Sequence, residues 1–406
     1  MVDDIKIDVF EKTKFEDDTN YTSIDSQKIV DNENYTANPK ISYGYDSLYT
    51  ASQKLCYELI GESAYKISEE KQSNGFYAIG KVKINDPDFT DRDMDICIKS
   101  FTMDHPEIFW ITNQYTYGTV SGQSVIQLYS YVSGSECTQR ITELTDTVND
   151  IIASVPSGLK QYHLEKYIHN ILLDKCTYAT GVEYAEDGWE EFTSYGALVK
   201  GSAVCEGYAH AFCLLLNKLG IDCYYVNGYG ENAPHMWNSV KINDEWYHID
   251  VTWDDNENAY FNYFNLDDTQ IQTDHVIEPV LSDIKDRPTM PDIYNVFLPV
   301  CNSDRANYFV IESTYISDFE ESRDIMVNDL IEAAQKGDDM FTVKISDTYD
   351  FETAIDLMFN TEPCYMFDYI REANSFLDSS HQIANDNLAI IMISNFNSVV
   401  VRLEYN

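Results

Sequence analysis

The sequence predicts an α+β protein, and three observations carry that expectation. A buried helix with a cysteine in its first turn can be read at 201–220, and an aromatic-rich hairpin at 235–253. On both sides of these lie stretches in which helix-period and strand-period patterns alternate. For a chain of 406 residues this implies two or three domains. We divide it into a polar N-terminal tail or linker at 1–40, an α/β module at 41–155, a catalytic core at 156–289 and a small α/β module at 290–406.

Taken in order, residues 1–40 are rich in Asp, Asn, Thr and Lys and show no sustained period, apart from one strand around Ile5 to Phe10. Leu48, Leu55, Leu59 and Ile60 place a helix within Ser47 to Glu70, capped by Asp46 or Ser47. Phe76 to Ile84 alternates as a strand, Thr90 to Asp104 reads as a helix, and Phe109 to Thr112 and Val125 to Val132 read as strands. Gln139 to Cys176 is helical with a break at Pro156-Ser157-Gly158. Beyond 290 the expected order is strand (Tyr308 to Glu312), helix (Glu320 to Ala334), strand (Phe341 to Ile345), helix (Phe351 to Phe359) and a further helical stretch. Two final strands, Leu388 to Ser394 and Ser398 to Glu404, close the chain.

Composition supports a packed core, with 44% hydrophobic and 14% aromatic residues. Against 27 Lys and Arg stand 69 Asp and Glu, a net charge of -42 that repels phosphate and anionic membranes, so nucleic acid is not an expected partner. No apolar run is long enough for a membrane span, and the start lacks the apolar stretch of a signal peptide. Nine scattered cysteines, an odd number without a CxxC pair, form no disulfide framework and leave the redox compartment open.

In 201–220, apolar residues recur at Ala209, Phe212, Leu215, Leu216 and Leu219, and Gly220 is a natural stop. Ser202 is the expected N-cap. Cys205 then sits in the first turn, where free N–H groups and the helix dipole favour a thiolate. Cys213, two turns further among leucines, reads as inert packing. In 235–253, two apolar runs flank Asn243-Asp244, a pair suited to a two-residue type I′ turn. Pairing Ile242 with Glu245 sets Trp237 opposite Asp250 and His235 opposite Thr252. His235 and Asp250 then share a face as diagonal neighbours. These three residues suffice for nucleophilic catalysis: Cys205 attacks an acyl carbon, His235 moves the proton, and Asp250 orients the imidazole. The N–H of Cys205 offers one oxyanion donor, and Tyr195 is the candidate for a second.

The strings GSAVCEGYAHAF (201–212), HMWNSV (235–240) and WYHIDVTWDD (246–255) resemble the transglutaminase-like superfamily, in particular its bacterial branch with compact Cys-to-His spacing. The resemblance spans about 160 to 278, including YFNYFNLDD and the later Asp274-His275 pair. DHPEIFW (104–110) is similar to the region before the core in Clostridia-type members. The resemblance implies a papain-like core, a Cys-bearing helix packed on an antiparallel sheet that carries His and Asp, with Cys205, His235 and Asp250 in the triad positions. It does not fix the reaction, since the family includes crosslinking transferases, peptidases, amidases and inactive proteins.

Other polar residues are weighed against simpler roles. His248 alternates onto the face of Asp250 and is a candidate supporting residue. Trp237 and Trp253 are expected to wall the cleft or fill core, and Asn238 to be a structural polar residue. His210 lies off the helical face of Cys205. His163, His169 and Cys176 lack a fourth ligand at zinc spacing, and Asp254-Asp255 and Asp267-Asp268 lack the loop pattern of a calcium site. No cofactor or metal is expected. The expected function is thiol-dependent hydrolysis of a peptide or isopeptide amide. The alternatives are acyl transfer that crosslinks Gln to Lys, and a non-catalytic surface or binding protein. The expected partner is a protein or peptide substrate, cell-wall or surface associated. The polar spacer and acidity point to an exported, cell-surface bacterial protein, with a cytoplasmic one as the alternative.

Overall fold

A computed structural model of the chain describes residues 7–9, 21–24, 42–182, 188–256, 261–385 and 388–405. They fall into two compact units, Met1–Asp255 with Asp267–Asn302, and Asn256–Leu266 with Ser303–Asn406. Where the sequence analysis expects separate modules at 41–155 and 156–289, the structure has one unit, and the last boundary moves from 290 to 303.

The first unit begins with β1 (Ile7–Val9), β2 (Tyr21–Ser23), α1 (Tyr43–Ser47), α2 (Ala51–Ala64), β3 (Lys66–Lys71), β4 (Tyr77–Ile79), β5 (Val82–Ile84), α3 (Asp91–Asp104), β6 (Ile111–Val120) and β7 (Gln123–Ser130). The strands form one seven-stranded sheet in the order β1-β6-β7-β4-β3-β2, with β5 also on β7. β1 runs parallel to β6, and β2 antiparallel to β3. Two pieces of the expected N-terminal tail are therefore sheet strands; residues 1–6, 10–20 and 25–41 lie outside the described residues. The helix expected from Ser47 starts later. Thr50 and Gln53 form a capping box that opens α2, and Lys66–Lys71, once inside the expected helix, is a strand. Thr90 and Asp93 cap α3 in the same way.

The unit continues with α4 (Gly134–Ser154), α5 (Gln161–Lys175), β8 (Thr177–Tyr178), β9 (Ser202–Ala203), α6 (Cys205–Lys218), β10 (Cys223–Gly230), β11 (Ala233–Ile242), β12 (Glu245–Ile249), α7 (Val251–Asp254), α8 (Asp268–Ile271), β13 (His275–Ile277) and α9 (Leu281–Ile284). An antiparallel sheet, β12-β11-β10-β13, carries α6 against β10 and β11. Tyr208, Phe212, Leu215 and Leu216 of α6 are fully buried there. The turn between β11 and β12 is left-handed at both Asn243 (φ 49) and Asp244 (φ 69), as type I′ requires. Ile242 faces Glu245 and Asn238 faces Ile249. Pairing then stops, because Asp250 caps α7 instead of extending β12; its carboxylate accepts from the N–H groups of Thr252 and Trp253.

The two expected modules merge because the polar end of α3 is anchored on the second sheet. Asp104 accepts from the Gly44 N–H (2.7 Å), the Tyr57 hydroxyl (2.8 Å) and the Tyr224 hydroxyl of β10 (3.2 Å). The Ser194 hydroxyl donates to the Pro106 carbonyl (2.6 Å), and Phe109 stacks on Tyr195 at 4.9 Å. Residues beyond 290 belong here too: the Asn295 side chain donates to the carbonyls of Asn227 (3.0 Å) and Glu278 (2.8 Å).

The second unit contains α10 (Tyr308–Ile311), β14 (Thr314–Ile316), α11 (Arg323–Lys336), β15 (Met340–Ile345), α12 (Phe351–Phe359), α13 (Tyr365–Asn374), β16 (Ile390–Ile393) and β17 (Ser398–Arg402). Its sheet runs β14-β15-β17-β16, and Met326, Leu330, Met358 and Ile370 from the helices bury against Val343, Val399 and Val401. The strand expected at Tyr308 to Glu312 is a helical turn, because the Asn307 side chain accepts from the Phe309 N–H and caps it. Among the described residues no helix is long and apolar enough to cross a membrane. All nine cysteines are free.

Gly228 of β10 sits where β13 crosses, and a Cβ there would lie 1.9 Å from the Val276 carbonyl oxygen. Gly228→Ala is therefore expected to push β13 off the sheet and destabilise the protein by about 1–3 kcal/mol. Thermal denaturation checks this: a melting temperature equal to that of wild type would show that the sheet absorbs the methyl group.

Candidate active site

Cys205 is the first residue of α6, so its backbone N–H has no acceptor inside the helix. The N-cap is Val204, which offers no side-chain hydrogen bond; Ser202, the expected cap, pairs in β9 with Thr177 instead. The chain 188–193 lies directly over this first turn. The Val204 N–H donates to the Glu191 carbonyl at 2.9 Å, and a Cβ on Gly207 would come 2.5 Å from that same oxygen. The approach requires glycine two residues after the cysteine.

His235 stands on β11 and Asp250 at the cap of α7. His235 Nε2 is 2.6 Å from Asp250 Oδ2, and both side chains are almost wholly buried. Burial alone would lower the affinity of His235 for a proton, but the charge and hydrogen bond of Asp250, with a hydrogen bond from Cys205, raise its pKa to about 10. Burial would likewise raise Asp250, yet His235 and His275 together hold it well below the usual carboxylate range. The imidazole is thus gripped on Nε2 by the carboxylate and influenced by the thiol of Cys205.

His275, the first residue of β13, is a member of this cluster that residue-by-residue reading does not single out. Its Nε2 lies 3.1 Å from Asp250 Oδ2 and its Nδ1 2.6 Å from Asp274 Oδ1, with the ring fully buried. Each ring nitrogen therefore faces a carboxylate oxygen, one from Asp250 and one from Asp274. The available signal was the Asp274-His275 pair in the downstream stretch of the family resemblance. Nothing local to it pointed to Asp250, which lies 25 residues away.

Trp237, Trp253 and His248 pack behind the imidazole and do not line the cavity on which it opens. The Trp237 and His235 rings are nearly parallel at 5.9 Å, and Trp253 lies 4.2 Å from His275 and 5.5 Å from His235. His248 does not touch Asp250. Its Nδ1 accepts from Trp237 Nε1 at 3.1 Å, which leaves Nε2 as the donor to Asp268 Oδ1 at 2.9 Å. Asp268 Oδ2 in turn accepts the N–H of Cys301 at 3.2 Å. His235, Asp250 and His275, and separately His248, Asp268 and Cys301, bring metal-ligating groups within 4.8 Å of each other. Mutual hydrogen bonds account for the first cluster; in the second they join His248 to Asp268, while Cys301 is bonded through its backbone N–H.

Cys205 and His235 open on a cavity of about 600 Å³, walled also by Tyr178, Lys99, Glu206 and His210. Tyr178 sits on β8, whose neighbour β9 leads into α6. Burial raises its phenol pKa, and the charges of Cys205 and Asp250 raise it further, so it remains a donor. Tyr195 does not take the expected place: its hydroxyl donates to Glu143 Oε2 at 2.5 Å and its ring stacks on Phe109. Asn238 is structural, donating to the carbonyls of Ala209 (3.1 Å) and Tyr224 (3.3 Å). His169 pairs with Asp254 at 3.1 Å in full burial, and His163 is exposed.

Residues 148–251, which include Cys205, His235 and Asp250, match the family model of the Transglutaminase-like superfamily. A comparison with curated proteins finds no match. Among solved structures, the chain is similar to a "Putative Cysteine Protease from Cytophaga hutchinsonii" (14% identity, TM-score 0.23, covering 32% of this chain and 53% of that one). It is also similar to a structure named "a TGase" (12% identity, TM-score 0.28, covering 53% and 60%). A third is a "putative protease from Parabacteroides distasonis" (9% identity, TM-score 0.22, covering 34% and 35%). The chain spans between 35% and 60% of the length of these three.

The proton on His235 provides a direct test. In protein labelled with ¹³C-histidine, the His235 ring is expected to titrate near pH 10, against an ordinary value of 6.5. In Asp250→Asn the midpoint is expected about 1–3 pH units lower. The stability contributed by this proton is complete below pH 6.5 and is lost as pH rises through about 10. A wild-type midpoint at 6.5 would mean that Asp250 does not hold the imidazolium.

Proposed function

We propose, taking residues 148–251 as a domain of the transglutaminase-like superfamily, that this protein is a thiol-dependent hydrolase of peptide or isopeptide amides. One observation carries the reading. An imidazole hydrogen-bonded at 2.6 Å to a buried carboxylate shares a cavity with a cysteine at a helix N-terminus.

In this reading the proton of the Cys205 thiol already resides on His235, as a thiolate–imidazolium pair, and Sγ attacks the amide carbon. The carbonyl oxygen becomes an oxyanion, which accepts from the Cys205 N–H and the Tyr178 phenol. As the tetrahedral adduct collapses, the C–N bond breaks and His235 passes its proton to the departing amine. Water, deprotonated by His235, then attacks the thioester and releases the acid and the free thiol. Asp250 holds the imidazole by Nε2 throughout, which leaves Nδ1 as the atom that exchanges the proton with sulfur. Exported, surface-associated action on protein or peptide is the setting that the acidic composition and polar N-terminal sequence suit.

Brief iodoacetamide treatment followed by intact-mass analysis is expected to give one rapid adduct. It should be absent in Cys205→Ala and slowed roughly 10²–10⁴-fold in His235→Ala. An adduct rate equal to that of an ordinary thiol, indifferent to His235, would favour a binding scaffold instead. With a cleavable amide, new amino groups without uptake of a labelled amine are expected; uptake would move the assignment to acyl transfer. Tyr178→Phe is expected to lower kcat by about 10²-fold with little change in KM. Unchanged kcat would remove Tyr178 from the oxyanion site.

A further inference from the structure

The cavity beside Cys205 lies between α3 and α6, and among the described residues the charged groups that the two helices present to it, Asp95 and Lys99 from α3 and Glu206 from α6, form no ion pair. Lys99 of α3 and Glu206 of α6 both wall the space, and each feels the other's charge. Yet no ion pair within 4.0 Å joins them, and the ammonium of Lys99 rests over the Tyr294 ring at 4.2 Å. Burial drives both toward neutrality, the Lys99 ammonium down to about 8 and the Glu206 carboxyl up to about 7, each partly restored by the other. Charged groups held apart at a cavity wall gain most from a ligand that carries both countercharges.

The other titratable groups of the cavity do not compete for that role. Asp95 accepts from the Tyr115 hydroxyl at 2.6 Å, and burial raises its pKa to about 6. Burial lowers His210 to about 4, so it is neutral, and its ring packs on Tyr225 at 4.9 Å. Asp292 is exposed at the rim. Glu206 directly follows the proposed nucleophile, so a ligand group bound there is tethered close to the reacting carbon.

From this arrangement we propose that the cavity is a subsite for an amino-acid zwitterion, with Glu206 taking the ammonium and Lys99 the carboxylate. The substrate is then an amide on the side chain of an amino acid whose own amino and carboxyl groups are free. This inference rests on the hydrolase reading and narrows its substrate to isopeptide-type amides with a free amino-acid head.

Three chromogenic amides differing only in those two groups test it on the full chain: γ-glutamyl-p-nitroanilide, glutaryl-p-nitroanilide (no ammonium) and 4-aminobutyryl-p-nitroanilide (no carboxylate). The zwitterionic substrate is expected to exceed both others in kcat/KM by about tenfold or more. Glu206→Gln should abolish the preference over the glutaryl amide alone, and Lys99→Met the preference over the aminobutyryl amide alone. Equal rates on all three, or preferences untouched by both substitutions, would overturn the subsite. Rapid iodoacetamide labelling of Cys205 with no cleavage of any of them would overturn it too, while leaving the activated thiol standing. Slow labelling would sink the hydrolase reading itself. Circular dichroism of each variant confirms that it is folded.

Discussion

The carboxylate of Asp250 is the group around which the first unit is arranged. A buried carboxylate stays ionised only if hydrogen bonds and opposite charge replace its water. Asp250 has four such donors: His235 Nε2 and His275 Nε2 on Oδ2, and the N–H groups of Thr252 and Trp253 on Oδ1. They come from three structural devices: a strand, a second strand across the sheet, and a helix cap that supplies both N–H groups. Removing any one leaves a buried charge short of a partner, and a broken buried pair costs about 3–5 kcal/mol. The same groups that make the proposed chemistry possible thus also hold β11, β13 and α7 together.

That dependence explains several details that look unrelated. β12 ends at Ile249 because Asp250 turns its backbone into the cap of α7. β13 lies close enough to deliver His275 because Gly228 has no Cβ to meet the Val276 carbonyl. Gly230 similarly leaves room for Trp253, which packs on both histidines. Trp237 is held by His248, and His248 by Asp268, so the orientation of the His235 ring is supported by a hydrogen-bonded chain reaching the start of α8. The net charge of -42 has little part in this. Screening confines the surface field to about 8–10 Å in physiological salt, whereas the buried contacts operate at hydrogen-bond distance.

How much of this was legible in sequence follows the range of the interactions. Cys205, His235 and Asp250 could be named because a helix start and a two-residue turn fix their neighbours locally. The Asn243-Asp244 turn set the register of β11 and β12 as its residues imply. Whether Trp237 walls the cleft or fills core is not legible in the alternation, which cannot tell which side of the imidazole faces the cavity; the structure buries it. Tyr195 was chosen for its position before the cysteine, and the structure engages its hydroxyl with Glu143. His275, Tyr178 and Lys99 escaped notice because their relevance arises only when chain segments far apart in sequence meet. The merging of the 41–155 module with the core has the same origin, since Asp104 reaches Tyr224 across 120 residues.

The merger bears on function. The proposed nucleophile, base and orienting carboxylate would define a reaction type but no substrate, because all three lie within residues 148–251, the segment that matches the family model. The opposite wall of the cavity comes from α3, in the part of the chain that precedes the matched domain. Lys99, Asp95 and Thr102 lie on α3, outside the segment that supplies Asp250 and its donors. In the proposed reaction, water and an amine compete for the same thioester, and the shape and polarity of the α3 wall bear on which one reaches it.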